Sequence, residues 1–345
     1  MTTTMAEQTA AVVNLDPTIP APVTNVAEYG FEGRFEDWAD DARYFEYSKA
    51  ANPIGSGHTP RVPIIQFGPE LYQDGPTGVV PLDLSKELGI TSGTATSPGL
   101  LANFVRIRAG EQLGTSPNAT SQLYYTMYGR GFAAVDGRMV SWEKGDFLTL
   151  PAGSRSVFYA ESDAALYWVH DEPLLRYLGV QATEPRFRAT KFRRADAVAH
   201  LEAVAAAPHA NDRSRVSVLL ANAAEEQTLT ITHVLWAMFG LLPADQVQRP
   251  HRHQSVALDL ILDCQPGCYS LLGTRLDERG DIVNPIRVDW QPGGAFVTPP
   301  GMWHAHHNES GEPAHLIPIQ DAGLQTYLRS LDIRFTTSHG PRVFS

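Results

Sequence analysis

The sequence predicts an all-β protein built twice over, and two observations carry that prediction. After about residue 100 the chain breaks into short apolar or alternating runs, separated by turn signals such as Asp136-Gly137 and Lys144-Gly145. Strands at that spacing make a barrel or a sandwich. The two halves then repeat. Trp142-Glu-Lys-Gly145 and Trp290-Gln-Pro-Gly293 share the pattern W-x-x-G, and Pro151-Ala-Gly153 matches Pro299-Pro-Gly301 at the same offset. Asp171-Glu-Pro-Leu174-Leu-Arg-Tyr177-Leu178 matches Asp321-Ala-Gly-Leu324-Gln-Thr-Tyr327-Leu328 as D-x-x-L-x-x-Y-L. Matched blocks in one order mark a duplicated domain.

In chain order, residues 1–84 read as an N-terminal tail and arm. Phe35, Trp38, Tyr44 and Tyr47 stand at helix-like separations, which predicts one or two helices packing their aromatics onto the main domain or a neighbouring subunit. Residues 51–85 are rich in Gly and Pro and predict a long arm. The first β domain spans 85–184, with strands expected at 101–107, 122–128, 131–135, 147–150 and 164–169. Residues 185–228 read as a linker whose stretch 196–207 is helical. The second β domain spans 229–335, with strands at 229–241, 256–263, 268–272, 295–298 and 315–320, and 336–345 is a C-terminal tail.

Bulk properties narrow the function. A net charge of −11 with no compensating basic run argues against nucleic acid and membrane surfaces as partners. Cys264 and Cys268 cannot build a disulfide framework and read as free thiols. No stretch approaches the ~20 apolar residues of a membrane span. The N-terminus lacks a basic segment followed by an apolar core, so a soluble, cytoplasmic protein is expected.

The chemistry gathers in two stretches. Pro250-His251-Arg252-His253 runs into the apolar segment Val256 to Leu260. Alternation on a strand turns His251 and His253 to one face, with Cα atoms ~6.5 Å apart, so two imidazoles can converge on one metal ion. A third ligand is offered by Gly293 to Asn308, which holds His304, His306 and His307.

These residues resemble the cupin superfamily, whose second motif runs G-x5-P-x-G-x2-H-x3-N. Gly293, Pro299, Gly301, His304 and Asn308 fit it at every defined position. The first motif, G-x5-H-x-H-x3-4-E-x6-G, fits at His251 and His253 but lacks its Glu. The resemblance implies a bicupin, two tandem double-stranded β-helix (jelly-roll) barrels, over roughly residues 85 to 335. The N-terminal barrel keeps Gly110, Gly129, Gly145, Pro151 and Gly153, yet its ligand positions read Ser116, Asn118, Gln122 and Ser156. It is expected to be degenerate and metal-free.

Within cupins the chain resembles the gentisate and salicylate 1,2-dioxygenase group, on His253-Gln-Ser-Val-Ala-Leu-Asp-Leu and on Asp171-Glu-Pro-Leu-Leu-Arg-Tyr-Leu-Gly179. That likeness implies His251, His253 and His304 as iron ligands and His306 as a substrate-orienting or acid/base residue. It places Trp236 as a pocket aromatic, with Trp303 a further candidate for the substrate wall. The group's arginine six residues after the second histidine is Asp259 here, with the parity to face the pocket. Replacing attraction by repulsion, each ~3 kcal/mol at ~5 Å and an effective dielectric of ~20, penalises a substrate carboxylate there. Asp259 paired with Arg249 or Arg252 is the structural alternative.

The resulting expectation is an Fe(II)-dependent, extradiol-type ring-cleaving dioxygenase, taking O2 and a hydroxylated aromatic that need not carry a carboxylate. Three-histidine sites also accept Mn, Ni or Zn, and the alternative is a non-oxidative lyase, isomerase or decarboxylase. The resemblance and the long arm imply a homo-oligomer.

Overall fold

The computed structural model describes residues 38–208, 215–337 and 340–343. The chain divides into two units, Met1–Asn52 and Pro53–Ser345. In the first, the expected aromatic helices reduce to one described turn, Tyr47–Ala50, capped by the Glu46 carboxylate accepting from Ser48 N. Trp38, Tyr44 and Tyr47 are exposed, and Phe35 lies outside the described residues.

The second unit holds two barrels, and every strand pairing among the described residues is antiparallel. In the N-terminal half a sheet of six strands runs Thr190–Phe192, Phe147–Pro151, Ser121–Tyr128, Ala164–His170, Leu101–Ile107 and Gly78–Pro81. It faces four strands in the order Gln112–Thr115, Ser156–Ala160, Arg130–Val135 and Arg138–Glu143. The C-terminal half repeats the plan. One sheet runs Gln66–Phe67, Ala295–Thr298, Ala257–Asp263, Ala314–Gln320, Trp236–Leu242 and Val216–Leu220. The other runs Ile286–Asp289, Cys268–Gly273, Trp303–Asn308, Val247–Arg252, Arg334–Thr337 and Gly340–Val343.

Several assignments differ from the sequence reading, which did not place short strands such as Gln112–Thr115, Ser156–Ala160 and Ile286–Asp289. The linker carries the helix Arg194–Ala206, as expected, but also the strands Thr190–Phe192 and Val216–Leu220, which join different barrels. Residues 229–235 precede the strand that begins at Trp236. The C-terminal tail contributes to a hairpin, and its first strand pairs His251 with Phe335. Short edge strands leave little alternation to read, which is why pattern alone passes over them.

Side-chain alternation gives the central strands of the two facing six-stranded sheets two cores. On Ala257–Asp263, Leu258 and Leu260 enter a core shared by both halves, where they join Phe104, Leu123 and Tyr167. Ile261 turns the other way, into a C-terminal interior with Phe296 and Leu316. Val105, Tyr124 and Trp168 fill the matching N-terminal interior. The arm ties the halves together: Tyr72 packs on Phe104 at 4.5 Å between ring centroids and donates to Gly293 O at 3.1 Å.

The motif residue Asn308 is structural. Its amide donates to the carbonyls of Leu242, Pro243 and Glu312, and its oxygen accepts from Cys268 Sγ, Ser310 N and Ser310 Oγ. A side chain so fully used closes the loops at one barrel end. Among the described residues no helix is long and apolar enough to cross a membrane.

Leu260 is fully buried in the shared core. Leu260→Ala is expected to destabilise the chain by about 2–5 kcal/mol, measured as a shift in the urea midpoint; a change under 1 kcal/mol would mean that the two sheets do not pack as described.

Candidate metal centre

The ligand strands meet face to face. Val247–Arg252 pairs with Trp303–Asn308, and His251 stands directly opposite His304, so their ring centroids are 3.9 Å apart. His253 lies just past the strand end. Its carbonyl accepts from Gly301 N at 2.7 Å, which ties it to the Pro299-Pro-Gly301 turn. Gly301 has φ +72°, a left-handed conformation that glycine adopts without a Cβ penalty. The turn therefore sets His304 beside both partners. One nitrogen from each of His251, His253 and His304 lies within 4.8 Å of the others, and all three residues are buried.

Hydrogen bonds fix which nitrogen each ring presents. His251, His253 and His304 each donate Nδ1–H to a main-chain carbonyl, of Arg249 at 3.4 Å, Ser255 at 2.9 Å and Met302 at 3.0 Å. Ser255 Oγ gives its own proton to Gln320 Oε1, so it does not compete for that role. Each Nε2 is left as a lone pair, the state a metal requires, and that of His251 is met by the Arg215 guanidinium. His253 Nε2 is buried without a partner among the described residues. Burial, with Arg215 and the neighbouring imidazoles, holds His251 and His304 well below the usual imidazole range. Burial and Arg215 bring His253 down to about 4. The three rings are neutral at pH 7, so the donor set fits a divalent ion.

His306 is set the opposite way. Trp290 Nε1 donates to Ser270 Oγ at 2.8 Å, and that hydroxyl lies 2.7 Å from His306 Nδ1. An indole N–H only donates, and Ser270 Oγ has no acceptor other than Nδ1 among the described residues, so the serine proton goes to Nδ1 and His306 carries its hydrogen on Nε2. That N–H is fully buried and unpartnered among the described residues. It is a donor waiting for an acceptor, 5.7 Å between ring centroids from His304.

The other expected residues separate. Asp259 shares a strand face with Ile261 and stands opposite Phe296, inside the barrel, as its parity requires. It accepts from Thr298 Oγ1 at 2.7 Å, and burial raises it to about 6 against the pull of Thr298 and Arg215. Trp236 begins its strand on the face of Met238 and Leu242, toward the site. Trp303 has the opposite parity to His304 and lies under Arg252, whose guanidinium carbon is 5.2 Å from its ring centroid. His307 also turns outward and stacks on Tyr269.

Sequence reasoning missed Arg215 and Phe335. Arg215 precedes the edge strand Val216–Leu220, and its guanidinium contacts His251 Nε2 and Met238 Sδ. Its charge acts on His251, His253, His304, His306 and Asp259 alike. It is Asp259's counter-charge, a role that Arg252 cannot fill from above Trp303. The one signal was a cation at the mouth of a short apolar strand inside a presumed linker. Phe335 stacks on His251 at 5.8 Å and 14° from the C-terminal hairpin.

In the N-terminal barrel the corresponding space holds hydroxyls. Thr115 Oγ1 lies 2.7 Å from both Tyr124 OH and Ser156 Oγ, and Tyr124 OH donates to Gln122 Oε1 at 3.0 Å. Thr115 takes the inward place expected of Ser116, which is exposed, because Thr115 pairs with Ser156 across the strands. Asn118 is spent on the main chain of Val180 and Ala182. Trp168 stacks on Tyr124 at 5.3 Å and closes the space.

No protein-family model matches the chain. It is 32% identical over 93 residues, 26% of its length, to a 5-nitrosalicylic acid 1,2-dioxygenase of Bradyrhizobium sp, covering 45% of that protein. Over 104 residues it is 30% identical to a gentisate 1,2-dioxygenase of Aquipseudomonas alcaligenes, covering 26% of that protein and 30% of this chain. The match thus spans less than half the length of either curated relative. Among solved structures, a salicylate 1,2-dioxygenase from Pseudaminobacter salicylatoxidans superposes with a TM-score of 0.62 at 12% identity, over 92% of this chain and 99% of that one. The same enzyme with gentisate gives 0.61 at 12% identity, over 84% and 90%. At such identity the likeness shows the fold, an all-β bicupin. Sequence and fold together resemble the gentisate/salicylate 1,2-dioxygenase group of cupins.

His304→Ala removes the ring that stands between the other two. Metal content of the purified protein is expected to fall from about one equivalent to near zero, read by plasma mass spectrometry. Metal retained at full occupancy would place the ion elsewhere.

Proposed function

We propose that the chain is an Fe(II)-dependent dioxygenase that opens the ring of a hydroxylated aromatic acid with O2. One observation carries the reading: three Nε2 lone pairs converge beside a guanidinium, Arg215, which contacts that of His251, and beside an N–H donor, His306. The similarity to nitrosalicylate and gentisate dioxygenases supports it. A divalent iron held by His251, His253 and His304 would keep its full charge and would supply the redox path between an electron-rich ring and O2.

The chain's own groups do the rest. His306 Nε2–H offers its hydrogen to an anionic ring oxygen, and the Trp290–Ser270 pair prevents the ring from turning that donor away. The Arg215 guanidinium contacts His251 Nε2; with that lone pair engaged in holding a metal, its donors would be free to face a substrate carboxylate. Asp259 steadies Arg215 from behind and is itself held by Thr298. This changes the weight of Asp259 read alone: it opposes a carboxylate only where no cation stands beside it. Trp236 and Phe335, both half-buried, present aromatic faces on the site side.

The iron-loaded protein is expected to consume O2 with a hydroxybenzoate from a panel including gentisate and salicylate. Absence of uptake with every phenol and enol tested would sink the proposal. Losing one charge pair of ~3 kcal/mol is roughly a hundredfold effect. Arg215→Met should therefore raise KM for a carboxylate-bearing substrate by about that factor, and change it little for the matching phenol without a carboxylate.

A further inference from the structure

A second cavity, of about 480 Å³, opens where the two barrels meet, away from the three histidines; Arg186, Glu225, His233, Leu324 and Tyr327 are among the residues that line it. His233 Nε2 lies 3.0 Å from Thr120 Oγ1, and that hydroxyl donates to Asp171 Oδ2. A hydroxyl has one proton, so with it committed to Asp171 the threonine accepts from His233. The imidazole hydrogen is then on Nε2, and Nδ1 is an acceptor. This Nδ1 is buried and has no hydrogen-bond partner among the described residues. Glu225 Oε1 stands 4.0 Å from it, a second acceptor. Burial and the charge of Arg186 hold His233 down at about 4, so the imidazole is neutral at pH 7. Two acceptors face each other with no donor between them among the described residues.

We propose that this cavity binds a small zwitterion of the α-amino acid type, with its ammonium between His233 Nδ1 and Glu225, its carboxylate on Arg186 and its side chain along Leu324 and Tyr327. The geometry suits a primary ammonium. A nitrogen ~2.8 Å from both acceptors would subtend roughly 90° across their separation, close to a tetrahedral angle. The charges select the class. A plain amine is repelled by Arg186 and a plain carboxylate by Glu225, whereas a ligand with both groups satisfies both. Leu324 and Tyr327 favour an apolar or aromatic side chain.

Calorimetric titration of the full chain with L-leucine and L-phenylalanine tests the site. Their amides lack the carboxylate and their N-acetyl forms lack the ammonium. Binding of at least one free amino acid is expected, with each truncated form about tenfold weaker or worse. Glu225→Gln should weaken binding by a similar factor; Arg186→Gln, on an exposed side chain, makes the same test without risk to the fold. His304→Ala should bind as the parent does, which separates this site from the metal centre. Three outcomes overturn the proposal: no binding by either amino acid, equal binding by the truncated forms, or loss of binding in His304→Ala. A water bridging His233 and Glu225 would then be the occupant.

Discussion

The cross-strand pairing of His251 with His304 is the constraint on which the rest of the site depends. Directly opposed residues of an antiparallel pair put their side chains on one face at close range. That single register brings two imidazoles to 3.9 Å between ring centroids, and the hydrogen bond from Gly301 N to the His253 carbonyl draws the third toward them. A slip of one residue would send the ligand rings outward and bring in Arg252 and Trp303. The hairpin strand Arg334–Thr337, pairing with the same ligand strand, resists such a slip from its other edge.

Four histidines of one residue type take two roles through their neighbours. Three have main-chain carbonyls behind Nδ1 and therefore offer lone pairs. The fourth has a serine hydroxyl behind Nδ1, itself committed by an indole, and therefore offers a hydrogen. The difference comes from Ser270 and Trp290. Trp290 is the tryptophan of the repeated W-x-x-G pattern. Its counterpart Trp142 has a buried indole nitrogen with no partner among the described residues, so the repeat preserved the ring's bulk in both halves and a hydrogen bond to a site residue in one.

Much of this was legible in the sequence, and the reason is periodicity. Strands such as Leu101–Ile107 and Ala295–Thr298 lie where the apolar runs place them, because buried strands write their burial into the chain. The inward face of Asp259 followed from parity alone. Arg215 did not, because its relevance is set by which edge its short strand joins, a long-range fact without a local pattern. Phe335 failed for the same reason. Ser116 shows the limit of motif spacing: counting residues put it at a ligand position, and the pairing of Thr115 with Ser156 decided otherwise.

The core shared by the two barrels also bears on how such a chain can change over generations. Leu258 and Leu260 of the C-terminal half rest on Phe104, Leu123 and Tyr167 of the N-terminal half. The N-terminal half cannot be discarded, since its loss would bare the back of the very strand that carries Asp259. The hydroxyl cluster of Thr115, Tyr124 and Ser156 lies on the other side of that support, so it can drift while Leu123 and Tyr125, on the opposite face of its central strand, stay fixed. Duplication here left one half as the foundation of the other.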